Sequence, residues 1–258
     1  MDYKDIIVSA SNSIGTITLN SPHTANALSK NMILEVTCAL KTFRDEASTK
    51  VIIIKAAGRH FCSGHNLTEM IDGDVTEYKF IFRQCSDMML LIHEISQIVI
   101  AQIQGVATAA GCQLAAQCDL SICTETARFA TPGVKIGLFC SGPMVALSRA
   151  IGRKSALEML MTGRFVSAKE AELYGLVNRI TPEAELEKTT QDVAEAIAKS
   201  SPLTLAIGKK AFYAQIDMPE NKAYDHATEV MTLNLMTQDA QNGIKAFLEK
   251  KNPVWQGR

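Results

Sequence analysis

Val51 to Ala56 (VIIIKA) is apolar at consecutive rather than alternate positions, the pattern of a strand covered on both faces. The residues before it set the order of elements. Asp5 to Ala10 and Ile14 to Asn20 read as a hairpin around the turn-forming Ser11-Asn12-Ser13, with Ile14, Ile17 and Leu19 partly alternating. After the polar SPHTANA loop, Ser29 stands where it can cap a helix whose Ile33, Val36, Leu40 and Phe43 recur at helical spacing. Strand, helix, strand implies a parallel pairing, so the expected class is α/β.

The loop AAGRHFCSGHN follows that strand directly, where α/β proteins place ligand sites, and leads into Leu67, Thr68 and Glu69. His60, Cys62 and His65 on this glycine loop lack a fourth ligand, so no metal site is expected. A helix is predicted from about Glu77 to Glu94, carrying Phe80, Ile81, Met88, Leu91 and Ile92, with its methionines as core filling. Leu120 to Cys123 and Arg128 to Ala130 read as strands, and Thr131-Pro132-Gly133 turns into KIGLFCSGP. Helices then run from Met144 to Ala150, Lys154 to Met161 and Ala168 to Tyr174, with a strand at Val177 to Ile180. From Glu183 onward every periodic segment is helical, and Pro202 and Pro219 stand near helix starts. Two regions are expected, a core over 1–195 and a helical packing or oligomer-forming region over 196–258.

Gln102 to Asp119 (QIQGVATAAGCQLAAQCD) joins an apolar strand through Gly105 to a helix entered by small residues. Such an entry offers unpaired backbone N–H groups to an oxygen, and Gly105, Ala107, Ala109, Ala110 and Gly111 leave room for close approach. Tight helix packing uses small residues in the same way, so this run alone does not decide. The charge-free stretch Ile95 to Cys118 has the length of a membrane span, but glutamines 97, 102, 104, 113 and 117 would be costly in lipid, and no span is expected. With 26 Lys+Arg against 27 Asp+Glu there is no general field for nucleic acid. Seven cysteines without CxxC pairs suggest reduced thiols. MDYKDIIVSAS resembles neither a signal nor a transit peptide, which gives a cytoplasmic reading, or a mitochondrial one if a transit peptide has been removed.

HFCSGHNL, IVIAQIQGVATAAGCQLAAQCDL, ARFATPGVKIGL, ALEMLMTGRFVSAKEAELYGLVNRI and GIKAFLEKKNPVW, in this order and across nearly the whole chain, resemble the crotonase (enoyl-CoA hydratase/isomerase) superfamily. The resemblance implies a spiral of ββα units with a helical C-terminal region, assembled as a homotrimer or a dimer of trimers. It implies an acyl-CoA ligand and no separate cofactor. Carried over by position, the family's two oxyanion-hole amides fall on His65, after Gly64, and Ala110, before Gly111. Ala25, Asn26, Leu28, Arg59 and the Ser63 carbonyl match positions that line the CoA nucleotide, and Phe247 and Lys250 match the part of the last helix that reaches a neighbouring subunit's CoA.

The family's hydratases, enzymes of fatty acid metabolism, use two glutamates to activate water and shuttle its proton. Those positions here are Gln113 and Gly133. An amide holds water but does not titrate near neutral pH, and glycine offers only its backbone. Cys140 aligns near the catalytic water and would be a nucleophile or base if its pKa were lowered. His65 could also turn its ring toward the acyl chain. Three functions stay open: an acyl-CoA enzyme independent of the glutamates (isomerisation, thioester cleavage or decarboxylation), a weak conventional hydratase, and a non-catalytic acyl-CoA binding or assembly protein.

Overall fold

The computed structural model describes residues 2–258. The chain opens with β1 (Ile6–Ser11) and β2 (Ile14–Leu19), an antiparallel hairpin, followed by α1 (Lys30–Asp45), where Ser29 Oγ accepts the Met32 amide at 3.0 Å. Next come β3 (Val51–Ala56) and α2 (Val75–Glu94). The helix begins before the expected Glu77, because Asp74 and Glu77 form a reciprocal capping box that satisfies two amides of the first turn. After β4 (Ile98–Ile103), β5 (Val106–Thr108) and α3 (Ala110–Gln117) come β6 (Leu120–Thr124), β7 (Arg128–Ala130), α4 (Ser141–Ala150) and α5 (Arg153–Thr162). Then follow β8 (Val166–Ser167), α6 (Ala168–Tyr174), β9 (Arg179–Thr181), α7 (Leu186–Ala198), α8 (Pro202–Gln215), α9 (Glu220–Leu235) and α10 (Gln238–Leu248).

The strands form a six-stranded sheet in the order β1-β2-β3-β4-β6-β9, parallel from β2 onward, and a three-stranded sheet in the order β5-β7-β8. Two isolated parallel bridges, Leu28 with His65 and Cys62 with Ala107, extend the smaller sheet back toward the N-terminus. Each turn of chain thus lays one strand in the large sheet and a short extended piece in the second layer before its helix, which is a spiral of ββα units. β3 shows why its run is apolar throughout. Ile52 and Ile54 join the main core with α1 and α2, whereas Val51 and Ile53 join a second cluster with Ile100, Ile122, Leu186 and Ala194 on the other face. α7 covers that second face and extends past residue 195 to Ala198, so the expected boundary falls within a helix packed on the core.

The charge-free stretch from Ile95 to Cys118 divides into β4, β5 and α3, and no helix among the described residues is long and apolar enough to cross a membrane. Two of its glutamines act as internal staples: Gln97 Nε2 donates to the Phe43 and Thr49 carbonyls at 2.8 and 3.3 Å, and Gln104 Nε2 to those of Ala56 and Gly58 at 2.7 and 3.1 Å. The strand expected at Val177 to Ile180 instead starts at Arg179, because Leu176 and Val177 fold back on the Ala171 carbonyl to close α6 after the left-handed Gly175. β5 and β8, of three and two residues, were too short to carry a periodic signal.

The last three helices form a peripheral layer. α9 buries no residue within this chain, and Met231, Leu233, Met236, Phe247 and Leu248 stay exposed. The C-terminal residues return to this layer, where Asp239 accepts Ser201 Oγ at 2.6 Å and the Gln256 amide at 2.7 Å, and Trp255 Nε1 donates to the Lys199 carbonyl at 2.7 Å.

Candidate active site

The extended piece Cys62 to Asn66 lies between two partners. On one side the Cys62 amide donates to the Val106 carbonyl at 3.1 Å and the Thr108 amide returns to the Cys62 carbonyl at 2.9 Å. On the other side the Leu28 amide donates to the Gly64 carbonyl at 2.7 Å and the Asn66 amide to the Leu28 carbonyl at 3.1 Å. Amides of an extended chain alternate in direction, so Gly64 and Asn66 facing Leu28 turn the His65 N–H toward β5 and the start of α3. There it has no backbone acceptor among the described residues. Gly64, at φ +104°, permits this bend, and a β-carbon on it would lie 2.8 Å from Ala109 Cβ and 3.5 Å from the Ala110 nitrogen.

Ala110 is the first residue of α3, so its N–H is one of the orphan donors of a helix start, and it too has no backbone acceptor. It is aimed by Ala109, which sits at φ 50° and ψ −118°, a conformation that an L-residue with a side chain adopts at a cost of about 1–3 kcal/mol. The Ala109 amide is held by the Ala130 carbonyl at 2.9 Å, and its own carbonyl accepts the Gln113 amide at 3.0 Å. A glycine would have signalled this bend in the sequence, but an alanine gives no such sign. Gly111 packs against the backbone of Cys62.

Both amides belong to residues lining one cavity of about 860 Å³. Its wall also includes Ser63, Gln113, Gly133 and Cys140, and apolar side chains such as Phe82 and Leu138 that periodicity did not single out. Gln113 is 6% exposed, and Gly142 stands beside its carboxamide, where a β-carbon would lie 3.5 Å from Oε1. Among the described residues no Asp or Glu lines the cavity.

Three positions of the site limit its acid-base chemistry. Cys140 lines the cavity, but burial raises its thiol above the ordinary value and outweighs the opposing hydrogen bond from the Gly133 backbone, so it is not a thiolate nucleophile or base near neutral pH. Gly133 cannot simply receive a glutamate, because a β-carbon there would overlap the Leu138 carbonyl oxygen and lie 2.8 Å from Cys140 Sγ. The His65 ring stands edge-on to Phe82, with centroids 5.7 Å apart, and burial holds its pKa down to about 4, which leaves a neutral and weakly basic imidazole.

The expected nucleotide-binding positions separate. Asn26 is fully buried and its carboxamide is taken by the Ser21 amide and by the Ala57 and His60 carbonyls, at 2.8–2.9 Å, while Leu28 is core. Their side chains therefore shape the loop rather than reach a ligand. Ala25 is half-buried in a left-handed conformation (φ 52°), and Arg59 is exposed without an ion pair among the described residues. The Ser63 carbonyl accepts Thr108 Oγ1 at 3.0 Å, a partner that sequence reasoning missed. Phe247 is 82% exposed, and Lys250 follows the end of α10 rather than lying in it; neither lines the cavity of its own chain.

The sequence matches the family described as enoyl-CoA hydratase/isomerase over residues 9–258. Human enoyl-CoA hydratase domain-containing protein 3, mitochondrial, is 44% identical over 243 residues, 94% of this chain and 80% of that protein. The crystal structure of that human protein matches with a TM-score of 0.95 at 42% identity, over 98% of this chain and 100% of that one. An enoyl-CoA hydratase from Mycobacterium smegmatis matches equally well, with a TM-score of 0.95 at 41% identity over 98% of this chain and 99% of that one. The chain belongs to the enoyl-CoA hydratase/isomerase family of the crotonase superfamily.

Proposed function

We propose that the protein binds acyl-CoA thioesters and polarises the thioester carbonyl between the amides of His65 and Ala110, in chemistry that does not depend on the two hydratase glutamates. One observation carries this reading: His65 and Ala110, whose amides have no backbone acceptor among the described residues, line one cavity, and none of its lining residues among those described is a carboxylate. Backbone donors persist whatever the side chain, and a charge developing on the thioester oxygen would meet them in a largely apolar enclosure. Isomerisation, thioester cleavage and decarboxylation all draw on that polarisation, with coenzyme A as part of the substrate and no separate cofactor. Titration with butyryl-CoA and with free CoA tests the reading. The thioester is expected to bind more tightly, because only its oxygen can occupy the hole; equal affinities would overturn carbonyl recognition.

The proposed assembly is a homotrimer or a dimer of trimers, in which Lys250 and Phe247 serve a neighbour's CoA. The exposed apolar side chains of α9 and α10 support it, since α9 buries no residue within its own chain and gains by covering its apolar face against a second copy. Light scattering is expected to give a multiple of three, and a monomer would sink this assembly. The mitochondrial designation of the human relative supports the mitochondrial alternative over the cytoplasmic one.

A further inference from the structure

α1 has no acidic residue in its first turn, yet its first amide does not go unpaired: Glu69, thirty-nine positions along the chain, accepts the Lys30 N–H through Oε2 at 2.9 Å. A carboxylate at this position also complements the positive end of the helix dipole. Glu69 ends a stiff connection that begins at the oxyanion amide. From His65 the chain passes to Asn66, whose N–H is held by the Leu28 carbonyl at 3.1 Å and whose side chain accepts the Thr68 amide at 3.2 Å and Thr68 Oγ1 at 2.8 Å. The Glu69 amide then donates to the Asn66 carbonyl at 3.1 Å, within a short 3-10 turn over Leu67–Met70. Segments 28–30 and 64–69 are therefore tied at three points: Leu28 to Gly64, Leu28 to Asn66, and Lys30 to Glu69. His65 lies inside this ladder. The first two ties set the direction of its N–H, and the third keeps the piece of chain after it from swinging away from α1.

We infer that Glu69 is a positioning residue for thioester recognition, a clip between the start of α1 and the loop that carries the His65 amide. This rests on the carbonyl-binding reading above. Loss of the clip lets the His65 N–H drift from the position that the thioester oxygen occupies, and displacement of a hole donor weakens carbonyl recognition while leaving contacts to the rest of CoA in place. Lys30 offers an independent way to cut the same tie. It is the first helical residue, where proline is best tolerated, and Ser29 before it already has the extended conformation that a following proline demands (φ −73°, ψ 164°). Lys30→Pro therefore removes the donor without touching the loop.

The test measures binding of butyryl-CoA and of its thioether analogue S-butyl-CoA, which lacks the carbonyl, to the full chain and to Glu69→Ala, Glu69→Gln and Lys30→Pro. Wild-type protein is expected to prefer the thioester. Glu69→Ala and Lys30→Pro are each expected to cut that preference about tenfold with thioether affinity unchanged within about twofold, and combining them to add little more. Glu69→Gln keeps an acceptor and is expected to lose less. General loosening of the fold would weaken both ligands alike, and that outcome overturns the inference, as does an unchanged preference in both Glu69→Ala and Lys30→Pro. A wild-type protein with no preference overturns the carbonyl-binding reading itself, and the clip's role falls with it.

Discussion

Crotonyl-CoA hydration by this protein is expected to run at least about 10²- to 10⁴-fold below that of a hydratase that keeps both glutamates, the range for loss of a single positioned acid or base. Water addition needs a base to take a proton from water and an acid to deliver one to the substrate carbon. Gln113 does neither, Gly133 has no side chain, the Cys140 thiol is held protonated, and the His65 ring is neutral and poorly basic. On the proposed polarisation of the thioester, the deficit falls on proton transfer rather than on binding. Loss of enoyl-thioester absorbance measures it. Hydration at an ordinary rate, surviving Cys140→Ala, would mean that an unnamed group supplies the proton.

Restoration of the family's pair is not expected to work at its usual positions. Gln113→Glu puts back one carboxylate, but Gly133→Glu would drive a β-carbon into the Leu138 carbonyl and break the turn, whose Leu138 amide donates to the Gly133 carbonyl at 3.0 Å. Gly142 is the open alternative. A β-carbon there makes ordinary contact with the residue 113 side chain at 3.5 Å, and an acid in the first turn of α4 suits the helix dipole. Two carboxylates this close are expected to separate in pKa, one staying protonated as acid and one ionised as base. Gln113→Glu with Gly142→Asp should therefore hydrate crotonyl-CoA at least about tenfold faster than Gln113→Glu alone. No gain over the single variant would show that geometry rather than missing charge limits the reaction.

The large sheet was legible because its information is local. Val51 to Ile54 are apolar on both faces, and Ser29 with Ile33, Val36, Leu40 and Phe43 mark one helix and its buried stripe. In the second layer only β7 was, at Arg128 to Ala130; β5, β8 and the bridges at Leu28, Cys62 and His65 are held by contacts across the spiral rather than by any period along the chain. The amides proposed for carbonyl binding were named from motifs, but whether they are free of backbone acceptors was not legible: it depends on the alternation set by Leu28 and on the bend at Ala109, which only the fold reveals. Asn26 illustrates the limit of transfer by motif. The motif puts it on a loop expected to line a ligand, whereas its side chain is turned inward to the Ala57 and His60 carbonyls.

Lys209→Met is expected to destabilise the protein by about 3–5 kcal/mol, more than a surface substitution could, because it leaves a buried carboxylate without its cation. Lys209 Nζ donates to the Ile92 carbonyl at 2.6 Å, the Gln97 carbonyl at 2.7 Å and Asp119 Oδ2 at 2.6 Å, and the two charged side chains are only 2% and 9% exposed. Asp119 also accepts the Val99 amide at 2.7 Å and Tyr213 Oη at 2.8 Å, so one carboxylate joins β4 to α8. Burial pulls the Lys209 pKa down and Asp119 pulls it back up, as expected for a charge that depends on its partner in a poorly solvated site. Asp119→Ala removes the other half and should cost a similar amount. The double variant should cost clearly less than the sum, since the penalty in each single variant is the orphaned charge. α8 is the strip through which the peripheral helices join the core, so its release should abolish the proposed trimer at denaturant concentrations where the core sheet still gives a folded circular dichroism signal. Urea titrations of the two single variants and the double variant, read by far-ultraviolet dichroism and by light scattering, separate these events. A loss below about 1 kcal/mol in both single variants would show that water reaches the pair and that it does not hold α8 to the core.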